Sequence, residues 1–360
     1  MTKHVLIVQP YVPGYRVPFF EGLRSTLTED DIECTVIAGR PDGAQKLRAD
    51  ATAPPWLIQR NDRTINVRGI QISDIAHGHD FSRYDAIVAS AAGTSVDAYR
   101  ALVGAGRKKR AVGLWGHIDS YVAPANPIDL RLEKWQMRRA DRVFAYTPSG
   151  ARFAERFGIT PEKITTVMNS VDVSGLVSNA PTKEECEAFR STHGCSGRPV
   201  FAFWGGLDES KRIGFLAEML DELWLLDRSI HLFVGGKGAD EPLLAAAVAR
   251  GQVTLLGFIG ALEKRILGAI AEAVLMPGRI GLIAVETLAL GVPILTTTWP
   301  FHAPEFEYLV EGESVYVLDD DSVAFAAAMA DWRRSDAEVW AYPTVGDMVA
   351  NFASGVKQML

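Results

Sequence analysis

The feature that most restricts the fold is an alternation, played out twice along the chain, of short β-rich apolar runs with longer helical patterns. In the first half the runs are HVLIVQ at 4–9, CTVIAG at 34–39, DAIVAS at 85–90, AVGLWG at 111–116, RVFAYT at 142–147 and ITTVMN at 164–169. Runs this continuous suit parallel strands covered on both faces, because a strand with one wet face alternates polar and apolar residues. The second half continues with PVFAFWGG at 199–206, IHLFVGG at 230–236, VTLLGF at 253–258, AVLMPG at 273–278, VPILTT at 292–297 and SVYVLD at 314–319. Helical patterns separate them, notably at 213–227, 261–272 and 281–290. From Val173 to Arg198 the chain turns polar and irregular, with NAPTKEE and THGCSGRP. Strand and helix alternating on both sides of such a break predict an α/β chain of two doubly wound, Rossmann-like domains facing a cleft, with ligands at the carboxyl ends of the strands lining it. The expected divisions are a first domain at 1–175, a linker at 176–198, a second domain at 199–343 and a helix at 344–360 crossing back to the first domain.

Composition narrows the function. With 360 residues, 48% of them hydrophobic, the chain can bury two ordinary cores. Lys and Arg number 37 against 44 Asp and Glu, a net charge of −7, so no general attraction draws the protein to nucleic acid. The 3 cysteines, Cys34, Cys186 and Cys195, are odd in number and follow no metal spacing, which suits a reducing cytoplasm. The opening apolar run is too short for a signal sequence, and no later stretch reaches the roughly 18–20 apolar residues that span a bilayer. A cytoplasmic protein is expected. Basic residues nevertheless concentrate at Arg107, Lys108, Lys109 and Arg110 and again at Arg131, Lys134, Arg138, Arg139 and Arg142. That pattern fits either a solvated face or a peripheral patch against anionic lipid at the inner face of the membrane.

Residues with chemical potential gather in the second half. In PGRIGLIAVETLALGVPILTT, at 277–297, Glu286 lies inside an apolar helix. Burying a carboxylate costs several kcal/mol unless it finds donors, and either ribose hydroxyls or an internal partner would serve. Amides near Gly281 open that helix, a common anion site, and Arg279 adds charge beside them. In FAFWGGLDESKR, at 201–212, Gly205 and Gly206 allow close approach of a ligand to backbone, and Lys211 offers a point charge for a diphosphate or is simply solvated. The glycines of GGKGAD, at 235–240, lack Walker spacing and read as a closely packed turn. Asp319, Asp320 and Asp321 precede a helical pattern from Ser322 and read as its capping cluster, so no metal site is expected.

Together these stretches resemble the retaining GT-B glycosyltransferases of glycosyltransferase family four, whose C-terminal domains carry G-R-L-x-x-x-K-G and E-G-F-G-L-x-x-x-E-x-x-A-x-G-x-P segments. The first reads GGLDESKR here: Gly205, Leu207 and Lys211 are kept, and Gly206 stands where the family has a phosphate-binding arginine. The second keeps Gly281, Leu282, Glu286, Ala289, Gly291 and Pro293, and Gly278 stands where the family has a glutamate that contacts the transferred sugar. HAPEFEYLVEG at 302–312 is similar to the following P-E loop, LWGHIDS at 114–120 to the strand-end histidine loop, and VMNSVD at 167–172 to the N-G-V-D turn.

The resemblance implies transfer of a sugar, with retention, from a UDP- or GDP-type nucleotide-sugar to a glycan, lipid-linked or small-molecule acceptor, with neither metal nor additional cofactor. It implies a donor site made by Gly205, Gly206, Lys211, Arg279, Ile280, Gly281, Leu282 and Glu286, in which Glu286 holds the ribose and Lys211 the diphosphate. His117 would lie beside the donor sugar, oriented by Asp119, and would complete a catalytic set with Lys211 and Glu286. YVPGYRVPFF at 11–20 replaces the family's glycine-pair loop and is expected to face the acceptor through Tyr15 and Arg16. Two other functions suit the same architecture: a nucleotide-sugar 2-epimerase, and a nucleotide-sugar binder without turnover, which the changes at Gly206 and Gly278 bring into view. A dinucleotide-dependent oxidoreductase does not fit, since neither half opens with G-x-G-x-x-G after its first strand.

Overall fold

The computed structural model describes residues 1–41, 52–61, 63–67, 70–108, 110–118, 127–335 and 339–360. The chain divides into two compact units, one formed by Met1–Asp172 with Pro343–Leu360 and the other by Val173–Tyr342.

The strands of the first unit are β1 (Lys3–Gln9), β2 (Ile32–Ala38), β3 (Leu57–Gln59), β4 (Arg63–Val67), β5 (Ile70–Asp74), β6 (Ala86–Ser90), β7 (Ala111–Gly116), β8 (Arg142–Ala145) and β9 (Ile164–Thr166). Seven make one parallel sheet in the order β3-β2-β1-β6-β7-β8-β9, and β4 with β5 forms a separate antiparallel pair. All six runs read as strands in this half are strands. The short edge strand β3 and the β4–β5 pair were not read, because they lack the continuous apolar run that burial on both faces imposes on β1 or β6.

The last helix, Val345–Met359, belongs to this first unit and packs on the helix Val17–Glu29. Thr344 starts it with a capping box: its Oγ1 accepts from the Asp347 amide at 3.0 Å while its own amide donates to Asp347 Oδ2 at 2.8 Å. Phe352 is the anchor, stacked on Phe144 with centroids 4.4 Å apart and edge-on to Trp115 at 4.9 Å and Phe19 at 5.5 Å. Such aromatic contacts add about 0.5–1.5 kcal/mol each beyond the area they bury.

The second unit holds β10 (Val200–Trp204), β11 (His231–Gly235), β12 (Val253–Gly257), β13 (Val274–Leu275), β14 (Ile294–Thr297) and β15 (Val315–Leu318), all parallel, in the order β12-β11-β10-β13-β14-β15. The direction of winding reverses between β10 and β13, and a crevice opens at the carboxyl ends of strands at such a point. Asp321 caps the helix Ser322–Asp331, its Oδ1 accepting from the Ala324 amide at 2.8 Å, as the acidic run suggested.

The polar stretch expected as an irregular linker at 176–198 is largely structured. It holds the end of a short helix, Ser174–Val177, and the helix Lys183–Thr192, started by a Thr182–Glu185 capping box. Cys186 and Phe189 pack against the core of the second unit, Phe189 lying 5.1 Å from Phe233. A surface helix with so narrow an apolar stripe reads as a linker from composition alone. No helix among the described residues is long and apolar enough to cross a membrane.

Truncating Phe352 removes the ring that joins the last helix to the sheet. Phe352→Ala is expected to lower unfolding free energy by about 3–5 kcal/mol, measured by denaturant titration; a change under about 1 kcal/mol would mean that the helix is held elsewhere.

Candidate functional site

Two loops interlock where the second sheet reverses. After β10 the chain passes Gly205-Gly206-Leu207 into a tight 3-10 turn, Glu209–Lys211, capped by Asp208, whose Oδ1 accepts from the Ser210 amide at 3.0 Å. After β13 it passes Pro277-Gly278-Arg279 against that turn. The Arg279 amide donates to the Ser210 carbonyl at 2.8 Å, Lys211 Nζ to the Arg279 carbonyl, and Arg212 Nη1 to the Pro277 carbonyl at 3.2 Å.

This contact explains one departure from the family pattern. A Cβ on Gly278 would lie 2.5 Å from the Ser210 carbonyl oxygen and 2.6 Å from the Lys211 carbonyl carbon, so no side chain fits there unless backbone moves. Gly206 is different. A Cβ there would meet only the end of the Asp208 side chain, at 2.8 Å, which can rotate away. The glycines at 235–238 likewise serve close packing, a Cβ on Gly236 falling 1.8 Å from the Gly205 carbonyl oxygen.

Arg212, at the position of the second glycine in G-R-L-x-x-x-K-G, adopts left-handed φ 55 and ψ 49. For a non-glycine residue that costs about 1 kcal/mol or more. It is held by Pro277, by Thr297 Oγ1 at 3.0 Å, by Asp320 Oδ1 at 2.5 Å and by the Phe215 ring, 4.6 Å from its guanidinium carbon.

Glu286 projects from the helix Ile283–Leu290 and is partly exposed. Its two oxygens each receive an internal donor, Lys264 Nζ to Oε1 and Trp204 Nε1 to Oε2, both at 2.7 Å. Each oxygen keeps a second lone-pair direction for a ligand hydroxyl. Ahead of the helix, the amide of fully buried Ile280 donates to His302 Nδ1 at 3.2 Å, so Ile280 forms wall rather than an open donor. Gly281 precedes the helix and Leu282 is its N-cap, and the buried carboxylate of Glu305 comes close to Gly281.

His302 was not singled out by sequence. It stacks on Phe306 with centroids 4.1 Å apart and an interplanar angle of 12°. Burial first, then the charges of Lys211 and Arg279, push its pKa down to about 4. Lys264 was also missed: it lies on another helix, and only the fold brings it to Glu286. Arg279 gives its Nε to the Phe301 carbonyl at 3.2 Å, which aligns its guanidinium along the His302 loop.

In the first unit, His117 is exposed after β7 and its ring lies 4.4 Å from that of Tyr146. Asp119, expected to orient it, falls outside the described residues. Tyr15 is 39% exposed, but Arg16 is only 6% exposed and turns inward, its Nη2 donating to Asn169 Oδ1 at 2.5 Å and its Nη1 to the Ser170 carbonyl at 3.4 Å. Arg16 therefore braces the 169–170 turn. Two members of the basic clusters also turn inward: Arg110 donates to the Phe81 carbonyl at 2.8 Å, and Arg142 to Thr165 Oγ1 at 2.9 Å. Lys109 lies outside the described residues.

Residues 20–174 match the family model described as Glycosyltransferase Family 4, and residues 198–334 match the one described as Glycosyl transferases group 1. No curated protein matches significantly. Among solved structures, HepE of Anabaena in complex with UDP superposes with a TM-score of 0.63 at 14% identity, covering 99% of this chain and 97% of that one. The apo form of the lipopolysaccharide outer core galactosyltransferase WaaB gives 0.62 at 14% identity, covering 99% and 100%. The UDP-GlcNAc 2-epimerase of Methanocaldococcus jannaschii gives 0.58 at 15% identity, covering 99% of each chain. The fold is GT-B, with two Rossmann-like parallel-sheet domains.

The loop contact makes unequal predictions for two glycines. Gly278→Ala is expected to lower the melting temperature by several degrees, and Gly206→Ala to change it little; equal effects would mean that the loops do not interlock. Because the folded-state pKa of His302 lies near 4, below the usual 6.5, an unfolded chain takes up a proton there first as pH falls. The stability it contributes is complete above the unfolded pKa and is lost as pH falls toward the folded value. Between pH 6.5 and about 4 the melting temperature of His302→Asn should therefore decline less steeply than that of the unaltered protein.

Proposed function

We propose, from a chain whose first half carries a Glycosyltransferase Family 4 domain and whose second half carries a Glycosyl transferases group 1 domain, that the protein moves a sugar from a nucleotide-diphosphate sugar to an acceptor with retention of configuration. The carrying observation is at the reversal point of the second sheet, where Lys211 after β10 meets the Arg279 backbone after β13 and Trp204 at the end of β10 holds Glu286. Lys211 and Arg279 face the diphosphate, and Glu286, steadied by Lys264 and Trp204, accepts from the ribose hydroxyls. UDP and GDP are the candidate nucleotides.

In the reaction the bond from the anomeric carbon to the diphosphate oxygen breaks, and negative charge grows on that oxygen. Preorganised donors aimed at the leaving group stabilise it without reorganising in the transition state. The acceptor oxygen bonds the same face of the anomeric carbon, and its proton passes to the departing phosphate oxygen. No step needs a metal or a further cofactor. The first unit takes a glycan, lipid-linked or small-molecule acceptor, with exposed Tyr15 as a contact. His117 is assigned to the donor sugar by resemblance. The reading places the enzyme in the cytoplasm, with a peripheral contact at the inner membrane face when the acceptor is lipid-linked.

Thermal shift with UDP, GDP and dTDP identifies the nucleotide, since a ligand at a hundred times its dissociation constant stabilises by about 2.7 kcal/mol. Lys211→Ala is expected to lower kcat by about a hundredfold or more, and Glu286→Gln to weaken donor binding while the fold persists. Proton NMR of the product should show the donor's anomeric configuration. Isomerisation at C2 of the donor without any acceptor would mean an epimerase, and nucleotide binding with no turnover of any donor would mean a binding protein.

A further inference from the structure

The second unit lacks two groups that its family pattern supplies, the arginine at 206 and the glutamate at 278, and a side chain at 278 is sterically excluded. A polar side chain that the pattern does not include reaches the loop after β13 two residues beyond Gly278, at Ile280. His302 lies in the loop after β14 and directs Nδ1 at the Ile280 amide, which belongs to the loop after β13. An imidazole nitrogen that accepts from a backbone amide carries no proton, so the neutral ring bears its proton on Nε2. The Phe306 ring, stacked on it in near-parallel fashion, fixes the plane.

Among the described residues Nε2 has no hydrogen-bond partner, and it is not sealed from solvent. The charged groups that act on the ring are Lys211 from the turn after β10 and Arg279 from the loop after β13, and the buried Glu305, three residues along its own loop, has its carboxylate near Gly281. Burial first, and then the two cations, disfavour a positive charge on the ring, so it adds a hydrogen-bond donor without adding charge. Two cations and one neutral N–H suit an oxyanion better than a sugar hydroxyl, which would need an acceptor as well.

Resting on the nucleotide-sugar reading above, we propose that His302 is a donor-contact residue whose Nε2–H binds a diphosphate oxygen beside Lys211 and Arg279, providing from the β14 loop a contact that the family pattern provides from position 206.

The test separates the two nitrogens. Asparagine places an acceptor near Nδ1 and keeps the Ile280 contact but has nothing at Nε2, whereas glutamine reaches the Nε2 position with an N–H. His302→Asn is expected to bind the nucleoside diphosphate selected by thermal shift about tenfold more weakly, with its melting temperature without ligand little changed at pH 7.5. His302→Gln should recover part of that loss. Binding of the corresponding nucleoside, which has no phosphate, should be equal in all three proteins. Undiminished diphosphate binding by His302→Asn would overturn the assignment, as would a loss confined to the intact nucleotide-sugar, which would place the contact on the sugar. If the unaltered protein binds no nucleoside diphosphate, the nucleotide-sugar reading itself fails first.

Discussion

The arrangement of the second unit depends on one contact, the packing of the Glu209–Lys211 turn over the backbone of residues 277–279. It joins the loops of β10 and β13, the two strands between which the sheet changes direction, through the Arg279 amide, the Lys211 ammonium and the Arg212 guanidinium. Lys211 and Arg212 are placed by it, and so is the backbone of Arg279. The contact requires a residue without a side chain at 278, and it holds Arg212 in a left-handed conformation that several hydrogen bonds offset. A glycine at 278 and the pairing of Lys211 with the Arg279 carbonyl are thus two sides of one packing arrangement.

The neighbouring charges are balanced in a matching way. Glu286 would be costly in an apolar helix if it stood alone, but Lys264 and Trp204 each occupy one oxygen and leave further acceptor capacity directed outward. The same economy applies in the first unit, where buried Arg16 is surrounded by the rings of Tyr15, Trp115 and Tyr146 and donates to Asn169. Conversion of Arg16 from an expected acceptor contact to a brace leaves Tyr15 as the accessible member of that pair.

Much of the fold was readable because burial on both faces forces a continuous apolar run, and all twelve such runs became strands of two parallel sheets. The positions of Gly205, Gly206 and Lys211 were readable for a related reason: residues that follow a strand closely lie near its carboxyl end whatever the surrounding sequence. What escaped reading was set by contacts between distant segments. Lys264 finds Glu286 and His302 finds Ile280 from 22 residues away, with no spacing rule to announce either pairing. The helix Lys183–Thr192 hid behind its polar surface, and the inward turn of Arg16, Arg110 and Arg142 follows from carbonyl or side-chain oxygens that no local pattern reveals.

The most direct measurement is a crystal structure of the protein with the nucleoside diphosphate that stabilises it best. The diphosphate should lie within hydrogen-bonding distance, about 3 Å, of Lys211 and the Arg279 guanidinium, with the ribose hydroxyls on the outward side of the Glu286 carboxylate. A nucleotide bound in the first unit, or bound in the second with its ribose and phosphates remote from these three side chains, would contradict the assignment.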